Sequence, residues 1–315
     1  MKLLAAFFRL VRWPNLVFIV LTQYLFYAYI INTLTANEND SLPIIPEKYF
    51  WLLSLSSVLI AAAGYIINDY FDLNIDRINK PDRLIIGKII SRRWAMLWHI
   101  VISLAGILIG FYIGWKIFNV EKWLIGIANL ICALLLVFYS TTFKKKLLIG
   151  NIIISLLTAW VVFIITIVLK HVSYPIEISY ADYLRVLKFT FLYGAFAFII
   201  SLVREVVKDI EDVEGDEKYN CKTMPIIWGI PVAKVFSGVW IIVLVGALVI
   251  IQYYVLQLGW WLSSVYCLLL VIAPLCWVLK KLYDAQTIQE YHKLSSAIKL
   301  VMLSGILSMV LIKIF

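Results

Sequence analysis

The sequence predicts an all-α fold, a polytopic membrane helical bundle of nine transmembrane helices. Three observations carry that expectation. Hydrophobic residues make up 63% of the 315-residue chain and charged residues 15%, with a mean hydropathy of +0.94, whereas about 45–50% of a soluble domain is apolar. The apolar residues form runs of ~20, the length that crosses a bilayer as a helix. Many of the acidic residues collect in two clusters, Asn68–Asp76 (NDYFDLNID) and Asp209–Asp216 (DIEDVEGD), each where a long apolar run ends.

Taken in order, the chain opens with a short basic and apolar stretch, Met1–Leu10, which runs through Arg12-Trp13-Pro14-Asn15 into the first long span. It lacks a small-residue cleavage site, so it is expected to be a retained interfacial helix and not a signal peptide. Apolar length predicts nine spans: 15–34, 49–71, 94–115, 122–141, 148–169, 186–207, 234–255, 259–279 and 296–314. The connection Asn32–Lys48, with its Asn, acidic residues and two prolines, reads as an exposed loop.

Charge orients the bundle. With the amino terminus cytoplasmic, 21 of the 28 Lys and Arg residues fall in or beside cytoplasmic segments, as the positive-inside rule requires. Both acidic clusters then face the cytoplasm, and an odd number of spans puts the carboxyl terminus outside the cell membrane. No composition shift marks a domain boundary, so residues 1–315 read as a single integral-membrane domain. Spans two and six echo each other, both ending in an acidic stripe followed by a basic loop, which suggests an internal duplication.

Several chemistries find no support. The cysteines, Cys132, Cys221, Cys267 and Cys276, show no paired spacing, and three lie in apolar runs, so they read as small buried hydrophobes. His99, His171 and His292 belong to no motif for zinc or nucleophilic catalysis. No nucleic-acid partner is expected.

The acidic clusters are the candidate site. Asn68, Asp72 and Asp76 stand at i, i+4 and i+8, one face of a helix, with Asp69 on the adjoining edge; Asp209, Asp212 and Asp216 stand at i, i+3 and i+7. Carboxylates so aligned repel one another unless a cation sits among them, and hard divalent ions take oxygen ligands. Mg²⁺ held by few carboxylates completes its shell with water and substrate phosphate. One such cluster alone would read as a solvated helix end or cap, but two of similar spacing at the ends of spans point to a diphosphate site. Cations follow each cluster: Arg77, Lys80, Arg83 and Lys88 after the first, Lys218 and Lys222 after the second, with Lys208 just before it. These suit phosphate. The run Lys144–Lys146 reads equally well as a lipid-surface contact or topology signal.

These motifs resemble the UbiA-type intramembrane prenyltransferases. Asn68–Asp76 is similar to their NDxxDxxxD signature and Asp212–Asp216 to their DxxxD signature, with Arg12-Trp13-Pro14-Asn15, Tyr139-Ser140 and Gly150-Asn151 adding to the likeness. Within that family, NDYFDLNIDRINKPDR and REVVKDIEDVEGD look most like the geranylgeranylglycerol-phosphate geranylgeranyltransferase branch. The resemblance implies nine spans, a cytoplasmic-side active site and Mg²⁺-dependent transfer of a polyprenyl group from its diphosphate to a hydrophobic acceptor. Metal ligands would come from Asn68, Asp69, Asp72, Asp212 and Asp216, and diphosphate contacts from Arg77, Lys80, Arg83, Lys208 and Lys222. Asp76 or Asp209 would serve as proton sink for a hydroxyl acceptor, and Tyr139 would face the cation or diphosphate. Asn151 is given no role.

Two further classes compete. A secondary transporter also uses intramembrane carboxylates, but nearer the bilayer midplane on broken helices. A membrane phosphatase or phospholipid-headgroup transferase would need a different acidic spacing and no second stripe. Among prenyltransferases, an aromatic acceptor of quinone or chlorophyll type is the alternative to a glycerol ether. Membrane lipid is the medium in every case.

Overall fold

The structure, a computed structural model, describes residues 2–35, 43–79, 81, 84–172 and 178–314. The expected residues Lys80, Arg83 and Phe315, and much of the loop at 32–48, lie outside these. Among the described residues, nine helices are long and apolar enough to cross a membrane.

A short helix α1 (Lys2–Leu10) precedes them, a helix over the segment expected to be interfacial. It buries Ala6 and Leu10 while leaving Leu3, Leu4 and Phe8 exposed. Arg12 then turns the chain in a left-handed conformation (φ 50°) into α2 (Trp13–Leu25), with Pro14 in its first turn. Pro is suited there because the missing N–H would have no helical partner. A π-helical turn at Phe26–Ile31 and α3 (Asn32–Leu34) complete the first span.

Next come α4 (Glu47–Asn79), α5 (Arg92–Ile117), α6 (Leu124–Thr141), α7 (Ile149–His171) and α8 (Tyr180–Glu211). Two short helices, α9 (Val213–Lys218) and α10 (Met224–Ile227), lead to α11 (Ile230–Gln257). The last two spans are α12 (Trp261–Cys267) continued through a π-turn into α13 (Ala273–Asp284), and α14 (Ile288–Leu307) with its 3-10 extension. Each expected span coincides with one of these helices, with ends displaced by up to eight residues. Hydropathy marks where a helix leaves hydrocarbon, not where its hydrogen bonding stops. The 33 residues of α4 span ~50 Å, well beyond a ~30 Å hydrocarbon core, and the surplus carries the first acidic cluster. The early start of α14 has a local cause: Thr287 and Glu290 form a reciprocal capping box.

Backbone packing divides the chain into two compact units, residues 1–143 with 160–191 and residues 144–159 with 192–315. In the first, α4, α5 and α6 pack against one another. Lipid offers no hydrophobic gain for pairing apolar helices, so small residues and buried polar groups hold them. Ser56 on α4 donates to the Gly106 carbonyl on α5 at 2.7 Å, and Asn129 on α6 donates to Ser56 Oγ at 2.7 Å and to the same carbonyl at 3.2 Å. Deeper in α2, fully buried Gln23 donates to Ser57 Oγ and the Val161 carbonyl.

The second unit is built on a cluster of Val203, Val206, Val207, Ile241, Leu275 and Ile298 with their neighbours. Lys234 on α11 donates to the carbonyls of Tyr283 (3.2 Å) and Ala285, and Tyr291 also donates to Ala285 O at 2.9 Å. These bonds fix the turn between α13 and α14. Outward-facing apolar residues such as Leu104, Leu108, Ile242 and Ile250 are exposed, the inverse of a soluble protein and suited to a hydrocarbon surround.

Candidate metal and diphosphate site

The first cluster lies on the last three turns of α4, as the spacing predicted. Asp72 is 4% exposed and accepts from the Asn68 amide, Nδ2 to Oδ2, at 2.7 Å. Asp76 is half-buried one turn on, and Arg77 is exposed beyond it. Asp69 is engaged from the turn before α2: Arg12 donates to its Oδ1 at 2.7 Å, with the guanidinium also 5.1 Å from the Tyr65 ring centroid.

The second cluster departs from the expected single stripe. α8 ends at Glu211, Asp212 stands at the N-cap position of the following short helix α9 without a side-chain capping bond, and Asp216 lies inside α9. Backbone bonds from Asp212 N to Lys208 O (2.9 Å) and from Asp216 N to Asp212 O (3.2 Å) continue across the junction, so the stripe is kinked at Asp212 rather than interrupted. Gly215 beside Asp216 weakens continuous helix here. Asp216 is 3% exposed, and Asp209 is half-buried.

Asp209 accepts from Asn151 Nδ2 at 2.8 Å. Asn151 is buried in the first turn of α7. At each cluster, therefore, an Asn amide donates to an Asp carboxylate and orients it.

The basic residues divide by their contacts. Lys208 reaches back to Glu205 on α8 at 3.2 Å, and Lys218 pairs with Glu214 at 3.1 Å. Lys222 exposes its side chain while its backbone N–H donates to the Lys145 carbonyl at 2.9 Å. That bond brings the Lys144–Lys146 run beside the segment after the second cluster. Tyr139 is half-buried in the last turn of α6.

Oxygen chemistry at the first cluster suits Mg²⁺. Among the described residues the buried Oδ1 of Asn68 has no hydrogen-bond partner, and it lies on the same side chain that contacts Asp72. A carbonyl oxygen without a donor, beside a buried carboxylate, is a hard-cation ligand pair. Among the described residues no three His, Cys, Asp or Glu side chains gather closely enough to hold a metal by themselves. Mg²⁺ does not require that, since it is bound by one or two carboxylates with water and phosphate oxygens.

Sequence reasoning gave no role to Arg12 or Asn151. Each had a signal available. Arg12 is a cation ahead of a span with no nearby acid in sequence, and Asn151 is an amide in an otherwise apolar first turn. Their partners lie 57 and 58 residues away, and only the fold reveals them.

Comparison with known proteins adds to this geometry. Residues 24–301 match the model of the UbiA prenyltransferase family. The chain is 30% identical over 270 residues to digeranylgeranylglyceryl phosphate synthase of Methanosphaera stadtmanae, covering 84% of this chain and 89% of that one. A solved structure from work on digeranylgeranylglyceryl phosphate synthase in membranes superposes with a TM-score of 0.61 at 23% identity, over 98% and 99% of the two chains. A UbiA homologue from Archaeoglobus fulgidus bound to GPP and Mg²⁺ superposes at 0.56 and 18% identity, over 96% and 99%.

Proposed function

The chain belongs to the UbiA prenyltransferase family, and from that premise we propose an Mg²⁺-dependent membrane enzyme that transfers a geranylgeranyl group from its diphosphate to the hydroxyl of geranylgeranylglycerol phosphate. The observation that carries the acceptor is the likeness to a relative named digeranylgeranylglyceryl phosphate synthase across most of both chains. The paired acidic clusters carry the donor. The family match spans both packing units, which supports reading residues 1–315 as one catalytic domain; the matching acidic stripes that end spans two and six support an internal duplication around them.

Asn68, Asp69, Asp72, Asp212 and Asp216 are the proposed ligands, and both clusters are required for the same turnover. When bound, Mg²⁺ neutralises the diphosphate and stabilises charge on the leaving group. Arg12 holds the Asp69 carboxylate, and Asn68 and Asn151 orient Asp72 and Asp209. Arg77, Lys80, Arg83, Lys208 and Lys222 share the diphosphate charge. Asp76 or Asp209 accepts the hydroxyl proton, and Tyr139 faces the reacting group. Apolar helices exclude water from the allylic carbon.

We place the amino terminus and both clusters on the cytoplasmic face, supported by the Lys and Arg distribution. Cysteine accessibility at Lys88 and Lys218 tests this: labelling from opposite sides of sealed vesicles would remove the orientation. For the reaction, purified protein in detergent is given geranylgeranyl diphosphate, Mg²⁺ and geranylgeranylglycerol phosphate, and products are read by mass spectrometry. A doubly prenylated glycerol ether is expected. Its absence, with prenylation of an aromatic quinone precursor instead, would transfer the assignment to that acceptor class.

A further inference from the structure

We propose that His292 on α14 is a positioning residue for the second acidic cluster, acting through Glu211 at the end of α8. The proposal rests on the metal reading of that cluster and concerns two residues to which that reading gives no role.

The contact between them is direct. His292 Nδ1 lies 2.9 Å from Glu211 Oε1, and the two side chains are 48% and 10% exposed. A carboxylate so far withdrawn from water needs a donor, and with Glu211 ionised the ring supplies it as Nδ1–H. Neutral and charged imidazole both carry that proton in the required tautomer.

Anchored helices hold both ends of the bond. Val206, Val207 and Ile210 of α8 share one hydrophobic cluster with Tyr291, Leu294 and Ile298 of α14. Beside His292, the Tyr291 hydroxyl donates to the Ala285 carbonyl at 2.9 Å, and Glu290 Oε2 accepts from the N–H groups of Gln286 and Thr287 at 2.8 and 2.9 Å. The start of α14 is therefore fixed before His292 reaches across to α8.

The position it holds decides the geometry of the cluster. Glu211 is the last residue of α8, and Asp212 beside it takes φ −96°, ψ 7° at the kink into α9. Asp209 and Asp212 come up to this kink and Asp216 follows it, so rotation of the chain here sets whether the three carboxylates share a cation. Backbone bonds across the junction hold its pitch. Rotation of the last turn is held by side chains: Asn151 on α7 ties Asp209, and His292 on α14 ties Glu211. Residues two apart in a helix point ~200° apart around its axis, so the two ties grip α8 on roughly opposite faces.

The test titrates Mn²⁺, standing in for Mg²⁺, into detergent-purified protein with inorganic diphosphate present, and reads bound metal by electron paramagnetic resonance. The Mg²⁺ dependence of turnover is measured beside it. His292→Ala is expected to weaken Mn²⁺ binding and raise the Mg²⁺ concentration for half-maximal turnover about 3- to 10-fold, the effect of one hydrogen bond to a partly solvated charge. At saturating Mg²⁺ the acceptor KM should stay within about twofold. His292→Asn, whose amide nitrogen replaces Nδ1 as a neutral donor, should recover most of the loss. Glu211→Ala should show the same loss, and Glu211→Ala with His292→Ala should lose no more than either alone, because the two act as one unit. Unchanged Mn²⁺ binding in His292→Ala, with only a lower melting temperature, would reduce the bond to helix packing and overturn the proposal. Additive losses in the double variant would overturn it too. Should His292→Ala fail to fold, Glu211→Ala decides by the same metal titration. Wild-type protein that binds no Mn²⁺ with diphosphate would fail the metal reading of the cluster itself, whereas binding that Asp212→Ala abolishes and His292→Ala leaves intact would fail this proposal alone.

Discussion

Asn151 in the first turn of α7 holds Asp209 near the end of α8, its Nδ2 donating to Oδ2 at 2.8 Å. The contact lies within one packing unit and aims a half-buried carboxylate beside the kink at Asp212. Asn151→Ala removes a donor from a charged acceptor, a loss of about 1.5–3 kcal/mol when such a bond is broken. Turnover is expected to fall ~10-fold or more, and Asn151→Asp should do worse because it faces Asp209 with like charge. Steady-state rates with Mg²⁺ titration check both; a fully active Asn151→Ala enzyme would refute the positioning role.

Asp72→Ala and Asp212→Ala should each reduce turnover ~10²-fold or more, the size of losing a major electrostatic contributor. Folded yield should change little, because removing one carboxylate from a row of like charges relieves repulsion while leaving the apolar packing in place. Size-exclusion profiles and product formation separate the two effects. Retention of more than about a tenth of the activity by both variants would remove them from the metal site.

Much of this was legible in the sequence for a physical reason. A bilayer forces backbone hydrogen bonds to close within each segment, so the nine apolar runs translate directly into the nine membrane-length helices among the described residues. The first cluster was legible too, because α4 stays helical through Asn79 and spacing alone then fixes which side chains share a face. The second was only partly so: the spacing Asp209, Asp212, Asp216 assumes one helix, and the kink at Asp212 follows from local backbone choice near Gly215. Pairings across 57 or 58 residues, Arg12 with Asp69 and Asn151 with Asp209, depend on how helices pack. No local pattern encodes them.

Arg12 gives a test that separates backbone strain from side-chain function. It holds a left-handed φ of 50°, which costs a non-glycine residue ~1–2 kcal/mol. Its ion pair with Asp69 is partly solvent-facing, so it returns less than about 1 kcal/mol. Arg12→Gly and Arg12→Ala both lose the pair, but only glycine relieves the turn. Arg12→Gly should therefore melt above Arg12→Ala, while both show the same reduced activity. Thermal unfolding in detergent decides this, and a lower melting point for the glycine variant would show that the turn carries no strain.

The helix contacts of the first unit make a sharper forecast, because two glycines in membrane spans differ only in what surrounds them. A Cβ built on Gly110 of α5 would lie 2.5 Å from Asn129 Nδ2 and 3.1 Å from the Ile125 carbonyl, whereas one on Gly246 of α11 meets nothing within 4 Å among the described residues. At Gly110 the added methyl must push α6 away or displace the Asn129 amide from its bonds to Ser56 and the Gly106 carbonyl. Overpacking of this kind costs about 1–3 kcal/mol. Gly246→Ala adds a methyl to an open helix face and gains up to about 1 kcal/mol of helix propensity. Gly110→Ala should thus melt well below wild type and Gly246→Ala at or above it. Asn129→Ala combined with Gly110→Ala should recover part of the loss from the glycine change, because the clashing amide is gone. If Gly110→Ala melts with wild type, the close approach of α5 to α6 at this position is wrong.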